Sequence, residues 1–250
     1  MSEDHDAISQ MRAITVSREY GSGGGEIAWR LARRLGWRLV DHEAVVEVAK
    51  QLGVSEEEAA AHDENVEGLI SRILTSMQTI EPIGYVNVAV PAAVTVNARD
   101  YRGALEKVVM SAVTAGHVVI VGRGAQVIIA QRRDVLHVRV VASLEQRIPY
   151  VMRREGVDQE TARRRIQAKD RNRERYLQSE YRRQPEDPHL YDLVLNTNII
   201  DLDSIVDMIC LGLERKARQL TTPDEELGPG TGLTRYLTQP GDFQIPESTT

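Results

Sequence analysis

Apolar residues in this chain come in two rhythms. Short, dense runs at Ile14 to Val16, Trp37 to Val40, His117 to Val121, Val135 to Val141 and Leu190 to Leu195 have the length and β-branching of buried strands. Between them the apolar positions fall at helical spacing. Ile27, Leu31, Ala32 and Leu35 form one face ending at Gly36, Tyr101 to Ala115 ends at Gly116, and Leu144 to Arg154, Asp158 to about Arg183 and Leu202 to Leu213 follow. Strands alternating with helices predict an α/β fold in three layers, a parallel sheet flanked by helices. The unbroken run His117 to Val121 predicts a central strand covered on both faces. In such a sheet, ligands bind beyond the carboxyl ends of the strands.

Local signals refine these boundaries. Ser55 with Glu58 and Ser143 with Gln146 match a capping box, Asp158 is a candidate N-cap, and Pro185 and Pro188 close the long helix. From His42 to about Gln78 the pattern is helical and acidic. Ile80 to Val96, broken by Pro82, Gly84 and Pro91, fits either a loop with strand-like pieces or the start of another helix. Residues 1–12 have the composition of a flexible polar lead-in, residues 13–217 form one domain, and residues 218–250 are expected to be disordered or loosely packed.

Composition narrows the setting. A chain of 250 residues can bury a core without covalent staples, and its single Cys210 allows no internal disulfide, which suits a reducing cytoplasm. The polar, acidic start does not have the pattern of a signal peptide. No window reaches the roughly 20 apolar residues of a membrane span. A net charge of −6 argues against a dedicated nucleic-acid binder, yet Arg147 to Arg183 holds twelve Lys or Arg against six Asp or Glu. A basic segment in an acidic protein fits a small polyanionic ligand. The only lysines are Lys50, Lys107, Lys169 and Lys216, so bound phosphates would meet arginine forks, which match phosphate geometry bidentately.

The first strand leads into ITVSREYGSGGGEIA at Ile14 to Ala28. Strand, glycine loop and helix form the plan of a phosphate cradle, because backbone N–H groups can turn toward an anion at the positive end of a helix. Against the P-loop consensus, Gly23 holds the final glycine, Gly24 the place of the lysine and Gly25 that of the hydroxyl residue. Two further features converge on the same strand ends. Asp41 closes the second strand, and Arg123 stands between two glycines after the strongest strand. The long fifth helix then carries Asp170, Arg171, Asn172, Arg173 and Arg175. Its arginines surround the helix with few acidic partners, and moving a phosphoryl group calls for such cations. The six histidines show no metal-ligand spacing.

The order and spacing of these parts resemble the cytidylate kinase-like family, relatives of bacterial cytidylate kinase among the P-loop nucleoside monophosphate kinases. The likeness runs from about Ala13 to Leu213. It is carried by the glycine loop, VDHEAV, VIVGRGA at 119–125, VVASLEQRIPYVMRR at 140–154, IQAKDRNRERY at 166–176 and YDLVLNTNIIDLDSIVDMI at 191–209. It implies a P-loop NTPase fold with a helical acceptor-binding region at about 42–101 and an arginine-rich lid at about 153–183. It also implies that Gly21, Ser22, Gly23, Gly24, Gly25 and Glu26 wrap the donor phosphates of ATP. Asp41 and Arg123 would then face the acceptor, Arg153 and Arg154 open the lid, and Arg171 and Arg173 bridge the phosphates beside Asp170 and Arg175.

The resemblance has departures. Cytidylate kinases carry Lys and Thr where this chain has Gly24 and Glu26, and an arginine where it has Glu47. Arg18 is therefore the candidate for the missing lysine charge and Glu26 the candidate Mg²⁺ contact. The expected activity is phosphoryl transfer from ATP with Mg²⁺ to a nucleoside monophosphate, CMP or dCMP first. A nucleotide-binding regulatory module without catalysis and a kinase of a non-nucleotide metabolite are the alternatives. Small-molecule nucleotides, rather than nucleic acid or membrane, are the expected partners.

Overall fold

The short apolar runs pair side by side, as their β-branched composition dictates. The computed structural model describes residues 8–41 and 98–228. In chain order these form β1 (Ala13–Arg18), α1 (Gly24–Leu35), β2 (Arg38–Val40), α2 (Ala98–Ala115), β3 (Val118–Val121) and α3 (Ala125–Ile128). There follow β4 (Val135–Val141), α4 (Leu144–Glu155), α5 (Gln159–Tyr181), β5 (Leu193–Asn196) and α6 (Leu202–Arg218). The strands make one five-stranded sheet in the order β2-β3-β1-β4-β5, and every pair is parallel. Val16 of β1 lies opposite both Val121 of β3 and Val138 of β4, so the central strands end close to one line.

Alternation along the strands splits the core into two layers. Ile14 and Val16 pack with Ile27 and Leu31 of α1 and with Ile205, Ile209 and Leu213 of α6. On the other face Ala13, Val118 and Ile120 pack with Leu105, Val109 and Val113 of α2. A third, smaller cluster joins Ile148 and Val151 of α4 to Ala162 and Ile166 of α5, with Tyr20 set against it. The hairpin of α4 and α5 thus has an apolar centre of its own.

Several boundaries differ from those expected. Within the lead-in, Ile8 packs on the core and Met11 is fully buried. Ser143 does precede α4 but its side chain makes no cap; its N–H instead donates to Asn198 Oδ1 at 2.8 Å. Asp158 caps α5 by accepting from the Thr161 N–H. That helix ends at Tyr181 with Arg182 in the left-handed region, before either proline acts. The last strand is shorter, since Pro188–Leu190 forms a 3₁₀ turn, and α6 runs on to Arg218. Beyond it Arg133 holds the chain, reaching Asp224 at 3.0 Å and the Thr222 carbonyl at 2.7 Å. The Ser55–Glu58 capping box, Glu47, the helical and unresolved readings of 42–96, and the tail beyond 228 lie outside the described residues.

One buried polar group makes the core acid-sensitive. His137 of β4 sits with Nδ1 2.8 Å from Thr15 Oγ1, and burial pushes its pKa from 6.5 down to about 4. Nearby Asp192 opposes that shift and Lys216 adds to it. The unfolded chain therefore takes a proton on this ring that the folded chain refuses. Its contribution is complete above pH 6.5 and is lost as the pH falls toward 4, reaching about 2 kcal/mol at pH 5. Urea denaturation at pH 7 and pH 5 should show a smaller acid loss in His137→Asn than in the native chain. Equal losses would remove His137 from the acid response.

Candidate functional site

The glycine loop sits where the central strand hands over to a helix. Arg18 is the last residue of β1, Gly21 and Gly23 take left-handed φ values of 84° and 83°, and α1 opens at Gly24. The first helical bond runs from the Ile27 N–H to the Gly23 carbonyl at 3.0 Å. The amides of Gly24, Gly25 and Glu26 therefore head the helix without intrahelical acceptors, at its positive end. A Cβ added to Gly25 would meet nothing within 4 Å, so this glycine faces open space at the head of α1.

The loop's other groups hold its shape. Ser22 is buried; its hydroxyl donates to the carbonyls of Glu19 and Val140, and its N–H to Glu19 at 3.3 Å. Thr197 Oγ1 donates to the Ser22 carbonyl at 2.9 Å. Ser22 thus braces the cradle with both its hydroxyl and its amide. Glu26, in the first turn of α1, pairs with Arg30 at 3.1 Å, and Arg30 also reaches Asp203 at 2.7 Å. No group of three His, Cys, Asp or Glu residues among those described could hold a metal ion. Glu26 is the acidic residue in the first turn of the loop's helix.

Asp41 and the Arg123 turn emerge from adjacent strands. Val40 pairs with Ile120, so Asp41 leaves β2 beside the end of β3, from which Gly122, Arg123 and Gly124 follow. These three have φ values of 79°, 57° and 68°, three left-handed residues in a row. The Arg123 guanidinium lies 5.8 Å from the Tyr176 ring centre, which ties the turn to α5. Arg18 joins the two sides: its stem lies against Gly24 and its guanidinium against Gly122.

The α4–α5 hairpin is fastened to the loop. Asp170 accepts from the Tyr20 N–H at 2.7 Å and pairs with Arg147, whose Nη1 also donates to the Tyr20 carbonyl at 3.2 Å. Glu19 lies 3.8 Å from the Arg147 guanidinium and accepts from the Ala142 N–H at 3.0 Å. Arg173 donates to the Arg18 carbonyl at 3.3 Å and stacks 5.4 Å from the Tyr20 ring. The Tyr20 hydroxyl bonds to Glu155, which also pairs with Arg165.

These contacts divide the residues read as a lid. Asp170 and Arg173 face the loop, whereas Arg171 and Arg175 are exposed on α5, and Arg153 and Arg154 are exposed on the last turn of α4. Arg154 lies over the Tyr150 ring at 5.8 Å. Tyr20, Glu19 and Arg147 enter the site without having been singled out. The available signals were an aromatic inside a glycine loop and the first arginine of the basic segment. A shallow groove along α1, lined by Glu26, Trp29, Arg30, Arg33, Arg34 and Asp203, begins at the loop's own Glu26, with Arg33 over Trp29.

The model of the cytidylate kinase-like family matches residues 13–199. Among curated proteins, a uronate isomerase of Corynebacterium glutamicum is 30% identical over 108 residues, covering 43% of this chain and 21% of its own length. A cytidylate kinase of Methanopyrus kandleri is 37% identical over 91 residues, 33% of this chain and 47% of that protein. The aligned segments thus span about a fifth and just under half of these relatives. An uncharacterised protein from Eubacterium ventriosum of solved structure has the same fold, with a TM-score of 0.59 at 21% identity over 81% of this chain and 98% of its own.

Proposed function

Because the chain belongs to the cytidylate kinase-like family and has the P-loop NTPase fold, we propose that it transfers the γ-phosphoryl of ATP to a small phosphorylated acceptor, with CMP and dCMP first among the candidates. The observation that supports this most is the meeting of two anion-friendly turns, the open head of α1 and the Gly122–Arg123–Gly124 turn, on adjacent strand ends. A donor and an acceptor phosphate set in these turns would face one another, which is the arrangement that in-line transfer needs. Such transfer rests on positioning and charge neutralisation and needs no covalent enzyme intermediate.

Each residue then has a task. Amides of Gly24, Gly25 and Glu26 hold the donor phosphates at the helix N-terminus. Arg123 draws the acceptor phosphate toward the end of β3, with Asp41 beside it on the acceptor's side. Arg173, whose guanidinium rests against the loop, neutralises charge as the phosphoryl moves, and Arg171 and Arg175 lend positive potential from the outer face of α5. A coupled assay with ATP, Mg²⁺ and a panel of nucleoside monophosphates should show turnover, greatest with a cytidine nucleotide. Tight ATP binding with no turnover of any nucleotide, followed by turnover of a phosphorylated or hydroxylated metabolite, would reassign the acceptor. ATP binding with no acceptor at all would identify a non-catalytic nucleotide-binding module.

A further inference from the structure

Resting on that reading, we propose that Arg18 supplies the cation that a phosphate loop ordinarily draws from the lysine after its last glycine. In this chain that lysine's place is held by Gly24, and the space its side chain would enter is already filled. A Cβ on Gly24 would lie 2.6 Å from Arg18 Cβ and 3.1 Å from Arg18 Cγ. Cβ is fixed to the backbone of β1, and Cγ can leave only by a change of χ1 that carries the whole stem with it. The bare glycine and the arginine are therefore two halves of one substitution.

The far end of the side chain is held in the same way. The Arg18 guanidinium lies so close to Gly122 that a Cβ there would overlap Nη1. The side chain thus runs from the head of α1 to the turn that carries Arg123, across the ends of β1 and β3. A cation on that line stands between the donor cradle and the acceptor arginine, where negative charge gathers during transfer. Arg173 fixes the Arg18 carbonyl from the lid side, so the backbone that launches the side chain is also held. An arginine reaching in from the strand can serve both phosphates with its planar fork, which a lysine on the helix could do only as a point charge.

The test uses the full chain with Arg18→Met, Arg18→Gly, Gly24→Ala and the double variant Arg18→Gly/Gly24→Lys, each checked for unchanged circular dichroism. Arg18→Met keeps the stem and removes the charge. It should lower kcat by about ten- to a hundredfold, less than a lone preorganised donor because lid cations share the charge. It should also reduce the preference for ATP over AMP measured by calorimetry. Gly24→Ala, which leaves the charge but displaces the stem, should show the same losses in smaller measure. The double variant should recover at least part of the ATP preference lost in Arg18→Gly, since the lysine now has room. Native preference for ATP over AMP in Arg18→Met, or a double variant no better than Arg18→Gly, would overturn the assignment. A native chain that prefers ATP to AMP yet turns over no acceptor would defeat the functional reading, while the calorimetric series still decides Arg18.

Discussion

Arg123→Ala should lower kcat/KM for the acceptor by about 10² to 10³, the loss typical of removing one preorganised charge-stabilising donor. The backbone makes a sharper version of this prediction available. Arg123 is held at a φ of 57°, a conformation that costs a side-chain-bearing residue about 1–2 kcal/mol. It is kept there by neighbours on both sides, for Gly124 lies against the Tyr181 ring so closely that a Cβ would sit 2.6 Å from it. Arg123→Gly therefore removes the guanidinium and the strain together. It should lose activity as fully as Arg123→Ala while keeping a thermal midpoint equal to or above that of the native chain. Arg123→Ala keeps the strain and loses the contact with Tyr176, so its midpoint should fall below that of Arg123→Gly. If both variants retain turnover, Arg123 has no part in the transfer. If Arg123→Gly is the less stable of the two, the strained turn is not what sets the energetics there.

Asp170→Ala carries the largest expected effect on stability. The carboxylate accepts from the Tyr20 N–H and pairs with Arg147, a guanidinium left only 10% exposed. Its removal leaves a mostly buried charge with the more distant Glu19 and an amide without its acceptor. Breaking a fully buried pair costs roughly 3–5 kcal/mol; with Asp170 itself 29% exposed, about 2–3 kcal/mol is expected here. Asp170→Asn keeps an acceptor for Tyr20 and should lose less. Urea midpoints of the three proteins, in the order native, Asn, Ala, check both statements. Midpoints that coincide would mean that the Tyr20, Arg147 and Asp170 network contributes nothing to the fold.

The two variants act on features of very different legibility in the sequence. Arg123 was visible because an arginine between two glycines after a four-residue apolar strand has no packing explanation. Asp170 was visible only as one polar residue on an arginine-rich helix, and its work as a clasp depends on Tyr20, some 150 residues earlier in the chain. The strands and the order of elements follow from local apolar runs, which need no knowledge of distant partners. Ser143 and Ser22 show the opposite limit. Each carries a local motif, a capping box and a loop hydroxyl, yet each is satisfied by a partner from another element, Asn198 in one case and the Val140 carbonyl in the other. Met11 was hidden for a similar reason, since a single apolar residue in a polar lead-in acquires meaning only when the sheet closes over it. Arg18 falls between these cases. Its charge could be noted beside the loop, but the collision that a side chain at Gly24 would meet exists only once β1 and α1 are side by side.

Tyr20 gives the hairpin an unusual relation to the loop it covers. Its ring packs on the apolar centre of α4 and α5 while its backbone N–H and carbonyl are held by Asp170 and Arg147. The cover and the cradle therefore share one residue at their joint. Freeing the hairpin means extracting an aromatic ring and breaking charged hydrogen bonds at once, so amides at the head of α1 and in the adjoining turns of α4 and α5 should exchange with solvent as one cooperative unit. Because the joint is fastened by the chain's own contacts, little of a ligand's binding free energy would be needed to assemble it.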